Sequence, residues 1–242
     1  NITLPDSITH IEAGAFNNNK LTSMSLPNSL TYIGESAFSN NKLTSIVFPN
    51  TITHIGGRAF SSNELTRVTI PPLVTTIASQ AFERNKLTHV EMYDNVEIIE
   101  EFAFIGNTSL EHVTWSKQLE EIKEGAFIDT NLKHISLPSS LKVIGAEAFS
   151  FIGGSLQEVH LASVERIEER AFYKNSIHTL TLPNNLKYIG KSAFGLNALT
   201  TVTLPPSLQK IEDYAFSQNK LTNVSIPASV SELSLNILTS NP

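Results

Sequence analysis

The sequence predicts a solenoid, mainly β in content, of about ten stacked turns of 22 residues, and three observations carry that prediction. The dipeptide Ala-Phe recurs ten times, ending at Phe16, Phe38, Phe60, Phe82, Phe104, Phe127, Phe149, Phe172, Phe194 and Phe216, with seven spacings of 22 and two of 23. Aligning the turns yields the consensus LPxSLxxIxxxAFxxNxLTxVx, nearly unbroken over 26–47 and 204–225. Apolar and polar residues also alternate just before the proline of each turn, the period of a strand with one buried face. A fixed repeat of this length means that each unit buries its apolar face only against its neighbours.

Each consensus position has a physical role. In Leu65, Thr66, Arg67, Val68, Thr69, Ile70, the apolar Val68 and Ile70 alternate with Arg67 and Thr69, which predicts one strand per turn. Pro27, Pro49, Pro71, Pro138, Pro183, Pro205 and Pro227 end those strands, because proline has no N–H for the ladder. Leu30, Ile33, Ala37 and Phe38 then follow at spacings that suit a short second extended piece and a helical or 3₁₀ turn. Gly34, Gly56, Gly145 and Gly190 follow the Ile, where a tight bend or a left-handed dihedral favours glycine. The alanine is small enough to let backbones approach, and the phenylalanines are expected to stack in one column at about the 4.8 Å strand spacing. Asn stands three residues after Phe in eight of the ten turns, at Asn19, Asn41, Asn63, Asn85, Asn107, Asn175, Asn197 and Asn219. Its expected work is structural: tolerating a left-handed bend and bonding the backbone of adjacent turns. The fold class is therefore a leucine-rich-repeat solenoid of parallel strands, roughly 50 Å long at about 4.8 Å per turn.

These residues resemble the BspA-like, or Treponema-type, leucine-rich repeats of bacterial surface proteins over essentially the whole chain. Many members carry Cys where this sequence carries Asn after Ala-Phe, which changes the chemistry of that ladder but not the turn count. The resemblance implies a cell-surface or extracellular location and adhesion to host or matrix proteins, or to other bacteria. Cysteine is absent, which excludes disulfides, thiolate metal sites and thiol catalysis. It also favours a bacterial source over animal repeat proteins with disulfide-bonded caps.

Charge excludes other partners. With 17 Lys and Arg against 23 Asp and Glu, the chain lacks the basic stripe that nucleic acid requires. No apolar run approaches the roughly 20 residues needed to cross a bilayer. Residues 1–242 read as a single repeat domain within a longer protein, since terminal turns of a solenoid need polar caps. Leu233 to Leu238 read alternatively as a degenerate last turn. The middle is less regular. Tyr93, Asp94, Trp115 and Ser116 replace the Leu-Pro region, one residue is inserted near Thr108, and Phe151 to Gly154 form a second insertion. Insertions of this kind emerge as loops on one face; Trp115 falls at a core position.

The outward strand positions read Ser23, Ser45, Arg67, His89, His112, His134, Glu158, Thr179, Thr201 and Asn223 in successive turns. Arg67, His89, Glu91, His112, His134, Glu158 and His160 break the Ser and Thr columns and are the candidate partner-binding residues. His89, His112 and His134 in register, with Glu91 nearby, are placed for a shared divalent metal, but solvated imidazoles that make the face sensitive to pH are the preferred reading. Glu97, Glu100, Glu101, Glu111, Glu120, Glu121 and Glu124 crowd two turns. Carboxylates about 5 to 9 Å apart serve glycoside hydrolysis, but any solenoid this acidic contains such pairs, so a solvated face is the better reading. Nucleophile elbow, HExxH, P-loop and dinucleotide motifs are all missing. Asn1, Asn107 and Asn223 begin glycosylation sequons. The expectation is a non-catalytic, cofactor-free, adhesin-like module that binds a protein partner through its exposed face. The rivals are a structural spacer, which should show uniform outward columns, and a hydrolase in the central acidic turns, which should show an inserted loop bearing a base or nucleophile.

Overall fold

A computed structural model describes residues 2–151, 155–234 and 236–242. Each turn holds up to two short strands and one corner. In chain order the strands are β1 (His10–Ile11), β2 (Tyr32–Ile33), β3 (His54–Ile55), β4 (Arg67–Ile70), β5 (Thr76–Ile77), β6 (His89–Met92), β7 (Ile98–Ile99), β8 (His112–Thr114) and β9 (Glu121–Ile122). They continue with β10 (His134–Ser136), β11 (Val143–Ile144), β12 (Glu158–His160), β13 (Arg166–Ile167), β14 (Thr179–Thr181), β15 (Tyr188–Ile189), β16 (Lys210–Ile211) and β17 (Glu232–Leu233). All ladders are parallel, and their order is that of a coil laid on itself.

The strands that the alternation predicts, those before the proline, pair over only part of the stack. They form two three-stranded sheets, β4-β6-β8 and β10-β12-β14. The second extended piece, which carries the consensus Ile, makes the longer sheet, eight strands running from β5 to β17, with β1-β2-β3 as its continuation on the other side of a break. Toward the first turns the pre-proline segments splay. Thr44 N–H reaches the Thr22 carbonyl, and Thr66 N–H the Thr44 carbonyl, only at 3.4 Å. At Thr88 to Thr66 the bond closes to 2.8 Å, and the ladder begins.

The third side is a corner of i→i+3 turns, not a helix. Within a turn Ala37 N–H bonds Gly34 carbonyl and Ser39 N–H bonds Ser36 carbonyl. The alternate N–H groups leave the turn altogether: Ser36 donates to Gly57, Phe38 to Ala59 and Asn40 to Ser61, each in the following turn at 2.8 or 2.9 Å. Aiming successive N–H groups in this way requires left-handed dihedrals two residues before and two residues after the phenylalanine, as at Ser36 (φ 54°) and Asn40 (φ 55°). Left-handed φ therefore falls neither on the ladder asparagines nor on the glycines after Ile, contrary to the sequence expectation. Those glycines answer a different constraint. A Cβ at Gly34 would lie 2.5 Å from the Ala13 nitrogen, so the backbone of the previous turn occupies that space.

The ring column is present as expected. Consecutive phenylalanines from Phe16 to Phe216 stack with centroids 5.2 to 5.7 Å apart and interplanar angles of 3 to 18°. Trp115 meets Phe127 edge-on at 5.3 Å, as Phe48 meets Phe60, and packs half-buried against the core. Asn19, in the first turn, bonds only the Phe16 and Asn17 carbonyls of its own turn, and from Asn41 onward each ladder asparagine ties two turns together. Asn107 is fully buried; its amide donates to the Phe82 and Phe104 carbonyls at 2.9 Å, and its oxygen accepts the Leu87 N–H at 3.2 Å. With both amide hydrogens engaged, the Asn107 sequon is closed to a glycan in the folded chain. Asn223 is exposed, and Asn1 lies outside the described residues, as do residues 152–154 of the second insertion. The ladder also continues into the last turn, whose stretch from Leu233 to Leu238 the sequence reads as degenerate and where, among the described residues, Leu238 and Asn241 carry its bonds. Asn241 donates to Phe216 and Leu238 carbonyls and accepts from Leu221 N–H.

Truncating a central ring leaves a cavity between two others. Phe127→Ala should cost about 3 to 5 kcal/mol, and Asn107→Leu, which orphans three buried backbone groups, about 2 to 4 kcal/mol; equilibrium urea unfolding measures both.

Candidate functional site

The candidate residues all stand on the pre-proline strands, pointing away from the core because Val68, Val90, Ile135 and Val159 take the inward positions. The structure sorts them into two groups. Arg67, His89 and His112 are register partners across β4, β6 and β8, with Glu91 beside them, opposite Thr69 and Thr114. His134 and Glu158 are register partners across β10 and β12, with His160 opposite Ser136 and Thr181. The boundary falls between β8 and β10, which belong to different sheets.

That boundary changes the reading of the histidine row. His89 and His112 stack with ring centroids 4.6 Å apart and 30° between planes, while His134 turns to Glu158, its Nδ1 3.3 Å from the carboxylate. The three rings are thus a pair and a single, not one continuous ladder. Among the described residues no group of three or more His, Cys, Asp or Glu is arranged to hold a metal ion. The Thr88 hydroxyl lies 2.9 Å from His89 Nδ1, and the Thr69 hydroxyl donates to Glu91 at 3.2 Å. A shallow recess of about 180 Å³ opens beside this group, lined by Thr69, Glu91, Met92, Tyr93 and Thr114. Tyr93, one of the residues that replace the Leu-Pro region, is half exposed at its rim.

Electrostatics follow from the stacking. Partial desolvation, the Arg67 guanidinium and the neighbouring His112 hold the His89 imidazole below its ordinary value, while Glu111 and Glu91 pull weakly the other way. Three of the central acids, Glu100, Glu101 and Glu111, enter interturn ion pairs. Lys123 Nζ holds both oxygens of Glu100, at 3.0 and 2.9 Å, and lies 3.9 Å from Glu101; Glu111 accepts from Asn131 at 2.8 Å and faces Lys133 at 3.6 Å. Glu100 and Glu111 are thus held by cations of the following turn, an arrangement that serves the stacking of the coil.

Two features escaped sequence reasoning. His10, Tyr32 and His54 stack on β1, β2 and β3 with centroids 5.4 and 4.6 Å apart, and Arg166 lies 4.2 Å over the Tyr188 ring on the same side of the coil. Both rows sit directly before the consensus Ile. The repeat column at that position, aligned turn by turn, brings them out.

Comparison with known proteins extends the repeat pattern. The model of the family described as BspA type leucine rich repeat region matches in six copies, over residues 1–107, 33–152 and 150–241. Curated proteins provide no match to the sequence. Among solved structures, a leucine-rich repeat protein from Bacteroides ovatus superposes with a TM-score of 0.70 at 24% identity, covering 96% of this chain and 67% of its own. One from Eubacterium ventriosum reaches 0.58 at 18% identity, covering 98% and 81%. A leucine rich cell surface protein from Faecalibacterium prausnitzii reaches 0.51 at 21% identity, covering 93% and 78%. At these identities the likeness is one of fold.

The His89 shift has a definite sign. The folded state takes up this proton less readily than the unfolded chain, so its contribution to stability is complete above about pH 6.5 and is lost as pH falls through the folded value. An NMR titration should place the His89 midpoint below that of a free imidazole, and Arg67→Gln should move it up. A midpoint at or above the free value contradicts the assignment.

Proposed function

The chain belongs to the BspA-type leucine-rich-repeat family, and from that premise we propose that it is a non-catalytic, adhesin-like module of a bacterial surface protein, binding a host or matrix protein through the pre-proline strand face. The observation that carries the reading is a coincidence of chemistry and order. Charged and imidazole groups hold the outward positions only between Arg67 and His160, and the strands beneath them, β4, β6, β8, β10 and β12, are all paired into sheets, with Thr-bearing β14 as the one further member. Side chains rooted in a hydrogen-bonded ladder are held in place before a partner arrives, which lowers the ordering cost of binding. A flat, exposed row of charged and ring-bearing groups suits protein recognition, where a few such residues supply most of the energy.

Location and inertness have support of the same kind. The solved Faecalibacterium relative is called a cell surface protein, and among the described residues no helix is long and apolar enough to cross a membrane. Repeat solenoids of this family serve as interaction scaffolds, and no enzyme family is indicated. A bare spacer should present uniform columns, and the stretch from Arg67 to His160 does not.

Replacing Arg67, His89, Glu91, His112, His134, Glu158 and His160 together with serine, the residue of the bland turns, tests the proposal. Surface plasmon resonance against a panel of purified matrix proteins should show a loss of at least about tenfold in affinity for any protein that binds the original chain. Thr201→Ser with Asn223→Ser, on the same face, should leave it unchanged. Equal binding by the seven-residue variant, with its urea midpoint preserved, rules this face out.

A further inference from the structure

The stacked pair His89 and His112 has a property that neither ring has alone. Resting on the reading of this face as the partner-binding surface, we propose that Arg67, His89 and His112 form an acid-gated seat for an acidic peptide segment of the protein partner. The three groups are register partners on adjacent strands, so three nitrogen-bearing planar groups follow one another across the sheet, two of them 4.6 Å apart. Thr88 occupies His89 Nδ1, which leaves Nε2 as the nitrogen free to meet a ligand.

The charged groups facing the pair from each neighbouring strand decide its sign. Arg67 stands on β4. On β6, Glu91 accepts the Thr69 hydroxyl; beside β8, Glu111 is taken by Asn131 and Lys133; from the next turn, His134 is paired with Glu158. Thr69 and Asn131 are neutral donors, so Glu91 and Glu111 still pull on His89, though less than Arg67 and His112 oppose its charge, while Glu158 is turned to His134. Near neutral pH His89, held below its ordinary value, is uncharged, and the two cations Arg67 and Lys133 stand among three carboxylates, Glu91, Glu111 and Glu158, a balance that does not attract an anion. In mild acid His89 takes up a proton against the opposition of Arg67 and of the stacked His112. A carboxylate-rich chain laid across the row removes that mutual repulsion. Ligand uptake and proton uptake are therefore linked, each promoting the other. A peptide fits better than an isolated anion because the seat is a row along an open strand face and not an enclosed pocket.

Fluorescence anisotropy with a labelled hexaglutamate peptide and the whole chain reads this out. Affinity should tighten at least about tenfold between about pH 7.5 and about pH 5, with one to two protons taken up per peptide bound. His89→Gln with His112→Gln should flatten the pH dependence while Trp115 emission, reporting the core, stays unchanged. Arg67→Gln should weaken binding at about pH 5 and move the midpoint of the pH dependence upward with that of His89. The inference fails if hexaglutamate binds independently of pH, if the double variant keeps the original slope, or if a heparin hexasaccharide shows the acid-dependent binding and the peptide does not. Should the seven-serine variant lose matrix-protein binding while hexaglutamate never binds at any pH, the binding face stands and the acid-gated seat falls. Acid-dependent peptide binding by the original chain, together with unaltered matrix-protein binding by that variant, keeps the seat and removes the matrix-binding face.

Discussion

Each phenylalanine N–H is donated to the alanine carbonyl of the following turn, and that bond governs the rest of the molecule. It runs unbroken from Phe16 to Ala37 through Phe216 to Ile237, at 2.8 to 3.0 Å. A bond so short brings successive rings to stacking distance, so the residue that fills the core also holds the pitch. Alanine, whose small side chain adds little bulk between the coils, accepts in nine of these ten bonds. In the last described turn Ile237 accepts in its place, with Leu238 following where the ring would be. The asparagine three residues later locks the same seam a second time, from inside the stack, by bonding the phenylalanine carbonyls of two turns. Two independent sets of interturn bonds therefore converge on one buried seam, and the strands on the other two sides follow from the spacing that it imposes.

This dependence explains what was legible in the sequence. The 22-residue period, the ring column, the structural duty of asparagine and the core placement of Trp115 all rest on side-chain identity repeating at a fixed spacing, which a single sequence displays directly. The left-handed residues did not show themselves, because positions such as Ser36, Arg58, Gln80 and Phe102 share a dihedral and no chemistry. Backbone direction is imposed there by N–H groups reaching the next turn, and any side chain that points outward is tolerated. The glycines after Ile were visible, but their reason was not: they yield to a neighbouring backbone that belongs to another repeat.

The candidate surface divides in the same way. Alternation correctly placed Arg67, His89, Glu91, His112, His134, Glu158 and His160 outward on one face. It could not show that β8 and β10 part company, since pairing depends on interturn distance, and so it merged the stacked His89 and His112 with a His134 that turns to Glu158. The inserted residue near Thr108 is absorbed between Asn107 and Leu110, where Leu110 N–H closes a turn on the Asn107 carbonyl. Register from His89 to His112 survives an irregularity that the sequence alone made look disruptive.

The corner bonds have one more implication. Those that leave the turn all point the same way, donor in the earlier coil and acceptor in the later, whereas the bonds from Gly34 to Ile11 and from Lys42 to Leu21 on the other sides run the opposite way. The corner dipoles therefore add along their own seam, as they do along a helix, with the positive sense toward the later coils, while the other sides of the coil oppose them. The seam itself thus has a direction: whatever continues it at one extremity must bring hydrogen-bond acceptors, and at the other, donors. Extension by like units is consequently vectorial, and two identical extremities brought together along this seam would oppose charge of the same sign.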